Sequence, residues 1–211
     1  MHNIKIHQQN DTEQLKNIIR YYPFATLVME TKSGLEIDHF PVIIKHQDGV
    51  DVLQGHIAKA NYLWKHIEEN HQATLIFHGP NCYISPNYYP TKKENGKAVP
   101  TWNYVVVHVK GTIKAIHDNE WKLSLLECLT TQHEAEQSEP WSMHDAPTEY
   151  IEKMLPAIVG LDIQIESIQG KWKVSQDKPE VNQQGVIEGL SHSADTQLLQ
   201  MAELVKKFSI K

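Results

Sequence analysis

Between Gly79 and Tyr104 the chain reads GPNCYISPNYYPTKKENGKAVPTWNY, and this stretch limits the fold more than any other. Strand-forming residues border it, Ala73 to Phe77 before and Val105 to Val107 after, and it holds four of the ten prolines. Proline lacks an N–H donor and is excluded from central ladders, so the span is not expected to form one continuous strand. Long structureless connections are uncommon in compact domains, so the stretch should be packed or used. Its four tyrosines, Trp102 and the amides of Asn81, Asn87 and Asn103 suit two roles. They could grip a flat polar molecule, or they could fill space beneath a loop, the commoner duty of aromatic side chains.

Around this stretch the pattern is that of short strands. Asp11 is placed to cap a first helix whose apolar residues Leu15, Ile18, Ile19 and Tyr22 fall at i, i+3, i+4 and i+7. Strands are predicted over 24–29, 37–45 with an interior Pro41, 50–56, 73–78 and 104–116, and another opens at Gly160, where Leu161, Ile163 and Ile165 alternate with polar residues. Ala60, Leu63, Trp64 and Ile67 predict an amphipathic helix, and Asp118 is placed to cap one through Trp121, Leu125, Cys128 and Leu129. A short helix is expected near Thr148 to Met154, and a C-terminal one with Leu198, Ala202, Val205 and Phe208 on one face. Six or so strands joined mostly by turns imply a mainly β fold, an antiparallel barrel flanked by helices. The expected organisation is a barrel domain over 1–178 with helical insertions and a helical appendage over 179–211.

The net charge of −6 is concentrated: Glu134, Glu136, Glu139, Asp145, Glu149 and Glu152 lie in one span without lysine or arginine. A solvated acidic face is the ordinary meaning, and the balance does not favour DNA, which attracts clustered basic residues. The two cysteines, Cys82 and Cys128, have no zinc spacing, and no apolar run approaches a membrane span. With no signal-peptide core in MHNIKIHQQNDTEQ, a reduced cytoplasmic setting is expected.

Two further segments can carry chemistry. Gly55-His56-Ile57-Ala58-Lys59-Ala60-Asn61 ends a predicted strand and opens a predicted helix, so free N–H groups, His56 and Lys59 could meet a phosphate there. An ordinary strand-to-helix turn with a solvent lysine gives the same pattern. Gly170 to Gln176 places Trp172 between Lys171 and Lys173, ahead of Ser175 and Gln176. That combines stacking area, charge and hydrogen bonds, or it closes the end of a barrel. The thirteen histidines form no recognised metal spacing, and no nucleophile elbow, Walker or dinucleotide glycine pattern occurs, so no metal is expected.

The phrases GHIAKAN, FHGPNCYISPNYYPTK, VPTWNYVVVHVKG, HEAEQSEPWS, MLPAIVGLDIQI and GKWKVSQDKP, in this order, resemble the PaiB family. Its members are described as FMN-binding negative transcriptional regulators, or protease synthase and sporulation regulators. The resemblance implies a six-stranded antiparallel split barrel of the FMN-binding type, paired into a homodimer with flavin at the subunit interface. It implies that His56, Lys59 and Asn61 take the phosphate and ribityl chain. Thr101, Trp102 and Asn103 would approach the ring, and Trp172, Lys173, Ser175 and Gln176 would close the site. FMN or a related planar anion is thus the expected cofactor. The alternatives are a flavin-dependent oxidoreductase acting on a small molecule and, third, a haem-binding protein, since split barrels host several chemistries.

Overall fold

The alternation of apolar and polar residues is realised as seven strands in the computed structural model, which describes residues 1–209. They are β1 (Gln8–Gln9), β2 (Phe24–Thr31), β3 (Gly34–Gln47), β4 (Val50–Ala58), β5 (Gln72–Ile84), β6 (Thr101–Ile116) and β7 (Ile158–Lys173). The helices are α1 (Thr12–Tyr21), α2 (Lys92–Asn95), α3 (Asn119–Glu134), α4 (Thr148–Met154), α5 (Glu180–Ser191) and α6 (Thr196–Phe208). The sheet order is β1-β7-β4-β3-β2-β5-β6, and β6 also pairs with β7. Six antiparallel strands therefore close a ring, as the split-barrel resemblance implies, and β1 is a short addition to β7. Two-residue hairpins join β2 to β3 and β3 to β4. In the second, Asp48 and Gly49 both take positive φ, 52° and 82°, the geometry that matches the twist of the flanking strands.

The described residues fall into two units. One comprises Ile19–Phe77 and Val109–Ile168. Its core is the inward row of the strands: Leu27, Leu53, Leu75, Ile113, Leu161 and Ile163 are buried. Asp118 accepts the Trp121 N–H at 2.8 Å and so starts α3, whose Leu125 and Leu129 pack with Trp121 and Cys128 on Ile43 of β3. The other unit comprises Met1–Ile18, His78–His108 and the chain from Gln169 onward. There Asp11 caps α1 through the N–H groups of Glu13 and Gln14, and Leu15 is buried. Gly185 and Gly189 let α5 lie directly on Tyr88, where a Cβ would overlap the tyrosine.

Three local expectations are corrected. β5 passes through Gly79 and Pro80 to Ile84 instead of stopping at His78. Its pairing with β2 ends at Ile76, so on that side Pro80 is not asked for a ladder donor, and the break comes at the turn Pro86–Tyr88. The segment after Ala60 is one 3-10 turn, Tyr62–His66, not an amphipathic helix. Only Leu63 among its four apolar positions is buried, so packing does not offset the entropy of a longer helix. Gly170 to Lys173 belongs to β7 itself instead of following it. The expected C-terminal helix is present as α6, which Asp195 caps through the Gln197 N–H at 2.8 Å, and α5 precedes it.

Candidate functional site

In the unit that contains the N-terminus, the start of β6 and the end of β7 are tied by polar side chains. The Lys173 ammonium donates to Thr101 Oγ1 at 2.7 Å and to the Trp102 carbonyl at 2.6 Å. Asn103 is fully buried, and its Nδ2 donates to Ser175 Oγ at 2.9 Å. Gln176 clamps its own turn: Oε1 accepts the Val174 N–H at 2.8 Å and Nε2 donates to the Trp172 carbonyl at 2.6 Å. Ser175 at the apex holds φ of 66°, a left-handed conformation costly for serine and held by these bonds. The five polar members of the expected set from this region, Thr101, Asn103, Lys173, Ser175 and Gln176, are thus brought together with Trp102 and Trp172.

They are not equivalent, however. Trp172 is only 3% exposed and packs inward, whereas Trp102 is 55% exposed and meets Tyr83 edge-on at 6.3 Å between centroids. Trp102 therefore offers the open aromatic face, and Trp172 with Asn103, Ser175 and Gln176 forms the frame that fixes Lys173. Beside this frame is a hollow of about 310 Å³, lined by Thr101, Trp102, Tyr104, Lys171, Lys173 and the N-terminal residues His2, Ile4 and His7. Its size lies at the lower end of small-molecule sites. No carboxylate lines it, while two ammonium groups do, so it suits a flat anion. Burial pushes the Lys173 ammonium below the ordinary lysine range; Asp177 opposes this, and Lys178 and Lys171 add to it. Two buried polar atoms nearby, His7 Nε2 and Asn103 Oδ1, have no protein partner.

The other unit holds His56, Lys59 and Asn61. His56 is half-buried; its Nδ1 is buried without a partner, and burial pushes the imidazole below its ordinary value. The Lys59 N–H donates to the Ala157 carbonyl at 2.7 Å and its side chain is exposed. Asn61 is committed locally: Oδ1 accepts the Leu63 N–H at 3.0 Å and Nδ2 donates to Asp38. Because the following element is a five-residue 3-10 turn, the helix-dipole argument for a phosphate does not apply here. Charge remains: Lys122 of α3 is buried, donates to the Leu155 carbonyl at 2.8 Å, and is pushed down by burial and then by Lys59.

Sequence reasoning missed Lys122, which a helical position made look solvated, and it missed His7 as a lining residue; Tyr104 and Lys171 lay in the stretches singled out but not among the expected contacts. For His7 the missing signal is non-local: β1 pairs Gln8 with Lys171. No cluster of three or more metal-ligating side chains exists among the described residues, and no helix among them is long and apolar enough to cross a membrane.

Residues 1–167 match the family described as "Putative FMN-binding domain". The protease synthase and sporulation protein PAI 2 of Bacillus subtilis is 30% identical, covering 96% of this chain and 95% of that one. An uncharacterized protein of Emericella nidulans is also 30% identical, over 89% of each chain. Among solved structures, the FAD and heme binding protein from Mycobacterium smegmatis shares the fold, with a TM-score of 0.59 and 16% identity over 79% of this chain and 73% of that one. The flavocytochrome Anf3 from Azotobacter vinelandii gives 0.56 and 16% over 78% and 68%. At such identity these structures speak to fold alone. Match and whole-length identity agree: the chain belongs to the FMN-binding domain family that includes the PaiB relative of Bacillus subtilis.

Proposed function

We propose that this chain is a PaiB-type protein that binds FMN where two copies meet and acts in negative regulation of transcription. The observation that carries the ligand is the hollow beside β6 and β7, where an open Trp102 face, two lysines and no carboxylate occur together. The residues present fit the group: the open Trp102 face suits the ring, and a lining with two lysines and no carboxylate suits its charge. Thr101, Trp102 and Lys173 would touch the ring. Asn103, Trp172, Ser175 and Gln176 would hold those three in place. His56, Lys59 and Asn61 are the proposed contacts of the phosphate and ribityl chain, with Lys122 adding charge behind Lys59. When bound, FMN would supply a redox-active ring; the chain supplies its orientation and a cationic surround.

Titration of the protein with FMN, followed by flavin absorbance and fluorescence, tests this reading, and unchanged spectra would end it. Lys59→Ala should weaken FMN about fivefold and riboflavin hardly at all, since only FMN carries the phosphate and an exposed ion pair is worth about 1 kcal/mol. Equal losses for both would remove the anion role. Steady NAD(P)H oxidation by the FMN-loaded protein would favour the oxidoreductase reading. For regulation, a gel shift across salt concentrations separates direct DNA contact from an indirect route.

Support for the homodimer comes from the outer face of β2 and β3. Phe24, Leu35 and Ile37 are exposed there on one face, Ile37 paired with Val28 and Phe24 stacked on His39 at 6.2 Å. An apolar sheet face of this kind marks an interaction surface. Ile37→Glu is expected to convert a dimer to a monomer in analytical ultracentrifugation and to weaken FMN with it. A parent protein that sediments as a monomer at high concentration would remove the dimer.

A further inference from the structure

The N-terminal residues have no role in the reading above, yet they form a fixed wall of the hollow. Asn3 Nδ2 donates to the Gly170 carbonyl at 2.8 Å, Lys171 donates to the His2 carbonyl at 3.0 Å, and β1 pairs with β7. The turn Lys5–His7 is closed by the His7 N–H on the Ile4 carbonyl at 2.9 Å. These ties deliver His7 to the lining with its side chain buried to 5% exposure. A histidine kept for packing normally finds a partner for each buried ring nitrogen, because an unpaired one is penalised. His7 Nε2 is buried and finds none. Around it stand Lys171, Lys173 and Lys178, with Asp177 the one opposing charge among the groups that act on it. Across the hollow are Trp102 and Tyr104, the latter with the Lys171 ammonium 5.3 Å from its ring centre.

We propose that His7 is a ligand-binding residue of this hollow, its imidazole hydrogen-bonding the polar edge of a flat organic anion that Trp102 and Tyr104 flank and Lys171 and Lys173 neutralise. A half-turn about χ2 exchanges Nδ1 with Cδ2 and Nε2 with Cε1, so the ring can turn a nitrogen toward the ligand without leaving its place. Burial and the three lysines hold the ring neutral, with one nitrogen that donates and one that accepts. An uncharged imidazole adds specificity for heteroatom edges without adding to a surround that is already cationic. The inference extends the flavin reading to a residue outside it, and it applies to any flat organic anion.

The test uses the full chain labelled at histidine with ¹⁵N, and two probes: FMN and the flavin-free aromatic anion 2-naphthoate. The His7 ring-nitrogen resonances, assigned by their loss in His7→Phe, should shift on saturation with either probe. By fluorescence titration His7→Phe should bind about tenfold more weakly than the parent, and His7→Gln, which keeps a donor and an acceptor, should recover most of that loss. Thermal melting checks that the variants fold; if His7→Phe does not, His7→Gln supplies the assignment and the parent spectra decide. Ring resonances that stay fixed with both probes would overturn the proposal, as would parent-like affinity in a folded His7→Phe. A shift with naphthoate but no binding of FMN would sustain the role of His7 and overturn the flavin reading.

Discussion

Putting a side chain at Gly111 is expected to cost about 3 kcal/mol or more, a large part of the stability of the fold. This glycine is not required for a left-handed turn, since its φ is ordinary; it is required by close approach. A Cβ built there would overlap the Gln164 carbonyl of β7 and come within 3.2 Å of Ile163 Cγ2. A flexible side chain can move aside, but a ladder carbonyl can move only with its strand. The neighbouring contacts raise the cost: Thr112 Oγ1 donates to Glu166 at 2.6 Å, and Gln72 Nε2 donates to the same carboxylate at 2.9 Å. Those bonds also hold the Glu166 carboxyl below its ordinary value. Ordinary overpacking costs about 1–3 kcal/mol against soft neighbours, and a backbone neighbour lies at or beyond the top of that range. Against a total stability of about 5–15 kcal/mol that is a large fraction. Gly111→Ala should already show most of the loss as a lowered urea midpoint, and Gly111→Val little more, because the first carbon makes the collision. An alanine variant within about 0.5 kcal/mol of the parent would contradict this account of how β6 meets β7.

What the sequence made legible was local. Asp11 and Asp118 announced two helix starts because a side-chain oxygen three residues ahead of free N–H groups is a self-contained device. The strands were legible from period-two alternation, and the short helix at Thr148–Met154 fell where it was expected. The same local reasoning failed where distant partners decide. The helical spacing of Ala60, Leu63, Trp64 and Ile67 promised a face with nothing to pack against, and the chain closed one turn instead, with Trp64 Nε1 on the Lys59 carbonyl at 3.0 Å. Trp172 and Trp102 look alike in sequence, each beside basic or amide neighbours. Only the places of the two indoles on β6 and β7 leave Trp102 open and send Trp172 inward. Lys122 and His7 were invisible for the same reason, since their burial is imposed by Leu155 in one case and by the pairing of Gln8 with Lys171 in the other.

Lys173→Met should weaken FMN roughly 10- to 100-fold while costing the fold far less than the Gly111 variants. Methionine keeps the half-buried aliphatic stem and removes only the ammonium with its two hydrogen bonds, to Thr101 Oγ1 and the Trp102 carbonyl. A hydrogen bond from a charged donor to the bound anion would contribute about 1.5–3 kcal/mol, which gives that range of affinity. The sign of the pH dependence separates binding from stability. Burial depresses the folded-state pKa of Lys173, so the unfolded chain binds more protons over a window below 10.5. Stability therefore rises with pH through that window, whereas affinity for an anion falls, because the ammonium that attracts it loses its proton earlier than an exposed lysine would. FMN affinity of the parent should decline as pH is raised through this window, and that of Lys173→Met should decline less. Thr101→Val, which removes one acceptor but keeps the charge, should lose only a few-fold. If Lys173→Met binds FMN as the parent does, with a parallel pH profile and an unchanged melting temperature, the ammonium does not face the ligand, and the hollow beside β6 and β7 is not where an anion binds.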